Sequence, residues 1–289
     1  HLAIDIGAGS LTESLAQSLG VTAVIAQYSR LIVDCNRQLM DPGAFLEYGD
    51  GILVPGNRNL SQAEKDRRAE AIYWPYHNAI EEQVKRLRSI GPPPAFISIH
   101  SFTPVLDGVA RPIQMGVLWD KDDRLSDIFI EEFRAAGYVT GDNEPYSGRA
   151  PQDFTIDHHA EGAGLPHVGI EVRQDLIDDK RGVDEVAPVM HKIIESISGR
   201  FPPLRHAAGI LARHSVSPST YSGWVGSAAG TEAVLAVTAS QVTSTAPFKV
   251  VDVATPAGSS GVLTFVVVVD ASVDLTLTLP DVSTACSET

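Results

Sequence analysis

The 289 residues are 44% hydrophobic and 20% charged, the balance of a globular chain long enough to bury one large core or two smaller ones. Against 36 acidic residues stand 22 basic ones, a formal charge of −14, which is the wrong sign for a sequence-independent grip on nucleic acid or an anionic membrane. Any anionic ligand must therefore be held by local arginines. The two cysteines, Cys35 and Cys286, fit no CxxC pattern, so a reducing compartment, the cytoplasm, is expected rather than a disulfide framework. The chain opens at His1 with no basic leader region, apolar segment or initiator methionine, and is expected to lack a secretory signal and to be truncated at its N-terminus. Its strongest apolar run, residues 262–269, is too short to span a bilayer.

In chain order, residues 9–20 place Leu11, Leu15, Ala16 and Leu19 on one helical face, with Ser10 as cap and Gly20 as stop. Residues 21–28 and 31–35 are β-branched and apolar and read as strands, delivering Arg30 and then Asp34, Asn36 and Arg37 to their ends. Residues 41–60, rich in Gly, Pro, Asn and Asp, read as a long binding loop. Ser61 and Glu64 have capping-box spacing and open a helix that Pro75 should kink or split. His77 lies on this helix, suited to orienting a neighbour rather than holding a metal.

The run Pro94-Ala95-Phe96-Ile97-Ser98-Ile99-His100-Ser101-Phe102 reads as a buried strand that finishes on an imidazole and a hydroxyl. In open α/β sheets ligands sit outside the carboxyl ends of strands, so His100 stands where a metal ligand or catalytic base is expected. Residues 114–119 form another strand, residues 126–136 a helix, and residues 141–149 a turn-rich loop. Adjacent side chains on an irregular segment seldom chelate one ion together, so of His158 and His159 one at most belongs to a site and the other faces solvent. In the strand over residues 165–175, Val168, Ile170 and Val172 alternate with Glu171, which must point to the opposite side. There it is either a general base with a pKa tuned by its surroundings or the partner of Arg173 or Arg149 in a salt bridge. Residues 184–197 form an amphipathic helix. From about residue 215 the chain turns rich in Ser, Thr, Val, Ala and Gly, with no chemistry evident. The expected organisation is a domain over residues 1–198, a linker over 199–214, and a β-like or disordered extension over 215–289.

Five segments together carry a family resemblance. Tyr28-Ser29-Arg30-Leu31-Ile32-Val33-Asp34-Cys35-Asn36-Arg37, Tyr73-Trp74-Pro75-Tyr76-His77, Ile99-His100-Ser101-Phe102-Thr103-Pro104, Asp142-Asn143-Glu144-Pro145-Tyr146-Ser147-Gly148 and Ile170-Glu171-Val172-Arg173-Gln174-Asp175 resemble, in order and spacing, the N-formylglutamate amidohydrolases. The resemblance covers roughly residues 1–195. It implies a phosphorylase/hydrolase-like three-layer α/β fold with a mixed central sheet flanked by helices, related to zinc carboxypeptidases and aspartoacylases, and a zinc-dependent hydrolase of a small acidic N-acyl amino acid. By position His100 would be a zinc ligand and Asp5 a second, with a further ligand in a segment upstream of residue 1. Glu171 would be the base, and Asn36 and Arg37 the clamp on a substrate carboxylate. Arg30, Arg149, Tyr146, His159 and Ser101 complete the substrate-binding candidates. The alternatives are a carboxypeptidase-like or aspartoacylase-like hydrolase of another acyl group, or a non-catalytic binding protein.

Overall fold

A computed structural model describes residues 2–149, 153–200, 247–251 and 265–269. Helix α1 (Ala8–Leu19) leads into strand β1 (Thr22–Ala26). The predicted face is the buried one, and Gly20, left-handed at φ 67°, ends the helix with its N–H on the Ala16 carbonyl. The start differs from expectation: Gly7, not Ser10, is the cap, at φ 79°. A Cβ on Gly7 would lie 2.0 Å from the Ile177 carbonyl oxygen, so only glycine lets the start of α1 approach that turn.

The second expected strand does not form. Residues 31–35 are turn and coil, because the carbonyls that a neighbouring strand would use are taken by side chains. Asn57 Nδ2 donates to Leu31 O at 2.7 Å and Arg68 Nη1 to Ile32 O at 3.0 Å, while Asp34 Oδ1 accepts from the Asn36 N–H at 2.9 Å and turns the chain. Arg37 therefore sits on a loop. A small hairpin, β2 (Tyr48–Gly49) and β3 (Ile52–Leu53), follows, then α2 (Gln62–Arg68), capped by Ser61 as its spacing with Glu64 predicted. A π-helical turn, Ala69–Tyr73, separates α2 from α3 (Trp74–Ile90), with Pro75 in the first turn of α3 where its missing N–H is harmless.

Strand β4 (Ala95–Phe102) is buried throughout. A second hairpin, β5 (Val105–Leu106) and β6 (Val109–Ala110), leads to β7 (Met115–Leu118), α4 (Ser126–Ala135) and β8 (Thr140–Asp142). Then come a short helix α5 (Phe154–Ile156) with a π-helical turn Asp157–Glu161, β9 (His167–Arg173), and α6 (Lys180–Arg200), which carries Pro188 inside it. Two strands from the C-terminal extension, β10 (Phe248–Val251) and β11 (Phe265–Val269), join the same sheet. The remainder of the expected linker and extension lies outside the described residues.

The central sheet is mixed, in the order β10-β1-β11-β4-β9-β7-β8. Strands β1, β11, β4 and β9 run parallel, whereas β10 and β7 run against their neighbours β1 and β9. Side-chain alternation gives the sheet two apolar faces. Ile97, Ile99, Val168, Ile170 and Val172 pack with α1, α4 and α6 on one side; Val24, Phe96 and the buried face of α3 pack on the other. The molecule is thus three-layered, with helices on both faces of a mixed sheet, as expected. Among the described residues no helix is long and apolar enough to cross a membrane.

Candidate active site

The parallel register of β4 and β9 sets His100 directly opposite Glu171, both at the carboxyl ends of their strands. Because Val168, Ile170 and Val172 bury one face of β9, Glu171 projects from the other, as its alternation required. On its far side Glu171 faces Gly116 of β7. A Cβ on Gly116 would lie 3.0 Å from Glu171 Cβ and 2.5 Å from the Glu144 carbonyl oxygen, so the missing side chain makes room for the carboxylate and for the loop after β8.

Glu171 is 8% exposed, and among the described residues its Oε2 has no hydrogen-bond partner. Arg173 does not neutralise it: that guanidinium pairs with Asp175 at 2.7 Å, while Arg149 is exposed and stacks over Trp119. Burial pushes the Glu171 carboxyl up to about 7, the nearby Asp5 adds to the rise, and His100 and Arg30 oppose it. A carboxyl poised there can take and return a proton near neutral pH.

His100 Nδ1 donates to Asp5 Oδ2 at 2.9 Å, leaving Nε2 to accept from Ser98 Oγ at 2.9 Å. Asp5, only 2% exposed, is also met by Arg30 Nη1 at 3.2 Å, and Arg30 Nε lies 3.3 Å from Asp34. Arg30 thus links the Asp5 segment to the loop that carries Asn36 and Arg37. Ser101, on the opposite face of β4 from His100, donates to Ile6 O at 2.8 Å and anchors the same segment from below.

A cavity of about 180 Å³ opens over these groups. Its lining combines Glu171, His100 and Ser101 from the strand ends, Arg30, Asn36 and Arg37 from the loop after β1, and Tyr146, Ser147 and Asp153 from the segment after β8. Asn36 Oδ1 accepts from the Thr155 N–H at 2.9 Å, leaving its amide nitrogen as the group for the cavity. Arg37 Nη1 donates to the Asn36 carbonyl at 3.0 Å, and its own carbonyl is fixed by Tyr73 OH at 3.0 Å. The loop bearing Tyr146 is pinned by Asn143, whose Oδ1 accepts from the N–H groups of Trp119 and Gly148 at 3.1 and 2.9 Å.

Three expected site residues do not line the cavity: Asp5 is buried against His100 and Arg30, and Arg149 and His159 lie elsewhere. Arg149 lies on the surface. His159 is buried behind the Arg37 loop, where His77 Nε2 donates to Cys35 O at 3.0 Å and His77 Nδ1 accepts from His159 Nε2 at 2.9 Å. The pair of imidazoles braces the backbone beside Asn36, consistent with the orienting role read for His77, and His158 is exposed as the adjacent-histidine argument required.

A family model for N-formylglutamate amidohydrolase matches residues 1–178. This chain belongs to that family. It is therefore an amide-cleaving hydrolase, and its substrate is a small acyl amino acid of N-formylglutamate type. The crystal structure of a gene product from Agrobacterium tumefaciens is similar, with TM-score 0.67 and 32% identity over 69% of this chain and 79% of that one. That of N-formylglutamate amidohydrolase from Ralstonia eutropha matches with TM-score 0.43 and 20% identity over 57% of this chain and 71% of that one. No curated protein matches significantly.

For an N-formylglutamate amidohydrolase family member the donor set suits zinc in part. His100 lines the cavity together with the buried, unpartnered Glu171 oxygen, but its two ring nitrogens are hydrogen-bonded to Asp5 and Ser98, so it would take a metal only by giving up one of those bonds. A catalytic zinc takes three protein ligands, and among the described residues no group of three or more His, Cys, Asp or Glu side chains is arranged to hold a metal ion.

Asp153, 4% exposed, is a cavity residue that the sequence reading missed; its position before Phe154-Thr155-Ile156, as the cap accepting from the Ile156 N–H, was the available signal. One turn further, burial, with Asp153 and Glu161 adding, pushes the Asp157 carboxyl up to about 6 from an ordinary 3.8. The folded state thus holds this proton more tightly than the unfolded chain, and stability present near pH 4 is lost as pH rises through about 6. Asp157→Asn is accordingly expected to raise the urea midpoint at pH 8, with an advantage that shrinks towards pH 5. An equal gain at both pH values would show that the carboxyl is not strained by burial.

Proposed function

We propose that this chain hydrolyses N-formyl-L-glutamate to formate and glutamate with the help of zinc, in the cytoplasm. The observation that carries the reading is a buried carboxyl with an unpartnered oxygen, Glu171 Oε2, beside His100 in a cavity lined by two arginines. His100 and Asp5 would hold the metal, with a further ligand from elsewhere. When bound, zinc supplies Lewis acidity and lowers the pKa of water. Glu171 takes the proton of the attacking water as it adds to the formyl carbon, then returns it to the amine nitrogen as the carbon–nitrogen bond breaks. Arg37 grips the α-carboxylate through its planar fork, and the Asn36 amide nitrogen adds a neutral donor beside it. Arg30 holds the Asp5 and Asp34 segments in place through its ion pairs with both carboxylates.

The cavity's volume of about 180 Å³ supports a small acyl amino acid over a peptide, because sites for larger ligands usually run to about 300 Å³ or more. Two cysteines that fit no CxxC pattern support a reducing compartment.

The test is formate release. Zinc-loaded protein is expected to liberate formate from N-formyl-L-glutamate, to lose the activity to a chelator, and to turn over N-acetyl and peptidyl derivatives of Glu and Asp far more slowly. Preference for an acetyl derivative would move the substrate, and inertness of the metal-loaded chain towards all of them would overturn the reading.

A further inference from the structure

Arg111 belongs to none of the motifs above, yet three aromatic and cationic neighbours converge on it. It follows the β5–β6 hairpin, tied back by its own N–H to Pro104 O at 2.8 Å. Its guanidinium carbon lies 5.0 Å from the centroid of Phe102 and 4.7 Å from that of Tyr146, two rings that meet edge to face at 86°. Nη1 donates to the Tyr146 hydroxyl oxygen at 3.0 Å. From behind, Arg173 Nη1 donates to the carbonyls of Arg111 and Pro112 at 3.1 and 3.3 Å, and Asp175 fixes Arg173 in turn. Phe102 lies two residues beyond His100 on β4, and Arg173 two residues beyond Glu171 on β9. The strands that carry the reacting groups therefore also set the position of Arg111.

A cation stacked between a buried ring, Phe102, and an exposed one, Tyr146, stabilises by about 0.5–2 kcal/mol and needs no functional reason. The hydrogen bond adds a direction. A phenol oxygen that accepts from a guanidinium, which has no acceptor to offer in return, must send its own proton elsewhere, and Tyr146 lines the cavity. The loop leading to Tyr146 abuts the base: Glu144 O and Pro145 Cδ crowd the same Gly116 position, at 2.5 and 3.2 Å, as Glu171 Cβ does at 3.0 Å. Tyr146 thus belongs to the loop that packs beside the base, whereas Arg37 belongs to a different loop of the same cavity.

We infer that Arg111 is a positioning residue, which by donating to the Tyr146 hydroxyl oxygen and stacking on its ring aims that hydroxyl at the scissile carbonyl oxygen of the substrate. The inference rests on the proposed amidohydrolase reading of the cavity. As charge develops on the carbonyl oxygen, a donor held in advance stabilises it without reorganisation.

The experiment compares Arg111→Met, Arg111→Lys, Tyr146→Phe and the Arg111→Met/Tyr146→Phe double variant in the metal-loaded full chain acting on N-formyl-L-glutamate. Tyr146→Phe is expected to lower kcat by about 10²-fold, the cost of one oxyanion donor, with KM little changed. Arg111→Met should lower kcat by about tenfold or more, as expected when a donor is displaced, and the double variant should be no slower than Tyr146→Phe alone. Arg111→Lys, which retains a cationic donor, should keep more of kcat than Arg111→Met. An active parent whose two losses multiply in the double variant, or whose Arg111→Met loss falls on KM alone, overturns this inference. A parent inert towards the substrate overturns the functional reading itself. Melting temperatures close to the parent's separate positioning from loss of fold.

Discussion

Glu171→Gln is expected to reduce kcat by about 10²–10⁴-fold while the protein stays folded, because removing a positioned general base forfeits that range. Glutamine keeps the volume of the side chain between His100 and Gly116, so the packing of β4, β9 and β7 is undisturbed. It cannot take the proton of an attacking water. The structure adds a second expectation. Burial and the neighbouring Asp5 disfavour the charged carboxylate, so in metal-free protein at pH 8 the variant should melt at or above the parent temperature. Loss of activity together with retained or increased stability distinguishes a group held strained for chemistry from one that holds the fold together. Steady-state kinetics of formate release and a calorimetric scan give both readings, and a parent-like kcat would remove Glu171 from the reaction.

Arg37→Ala should act on the other kinetic parameter. Truncating one partner of a hydrogen-bonded charge pair costs about 2–5 kcal/mol, so KM should rise by roughly 30-fold to a few thousandfold, with kcat changed less. Lysine should recover little, since a point charge cannot reproduce a two-toothed grip on a carboxylate. The sharper measurement uses a substrate whose α-carboxylate is an amide. The parent should lose as much on this compound as Arg37→Ala loses on the natural one, and the variant should lose almost nothing further. Independent losses would place the carboxylate elsewhere, for example against the amide nitrogen of Asn36.

The layers of the fold were legible wherever a local period carried the information. Val168, Ile170 and Val172 fixed which face of β9 is buried and, by exclusion, where Glu171 points; Leu11, Leu15 and Ala16 did the same for α1. What misled was residues 31–35, where β-branched character suggested a strand. Its partners turned out to be side chains, Asn57 and Arg68, lying 26 and 36 residues ahead of the carbonyls they cap. No window along the chain reveals such a claim on the backbone. Arg111 was invisible for the same reason: its hydroxyl partner is 35 residues away and its brace, Arg173, 62. His100 stood out from its place at the end of its strand and Asn36 and Arg37 took their roles from the family resemblance, and the geometry then divided the candidates into cavity lining and supports. Asp5 and Arg30 hold each other, Ser101 anchors the Asp5 segment, and His159 braces the Arg37 loop from behind.

Strand β11 has a consequence for how the molecule is made. It lies between β1 and β4, so the middle of the sheet is completed by residues 265–269 although its two neighbours leave the ribosome much earlier. At about 5–20 residues per second, roughly ten seconds to a minute pass between synthesis of β1 and of the strand that pairs with it. Throughout that interval β1 and β4 each present an open edge, the feature that invites pairing with another chain. Slower elongation through the C-terminal third should therefore lower the soluble yield, even though none of the cavity residues named above lies there.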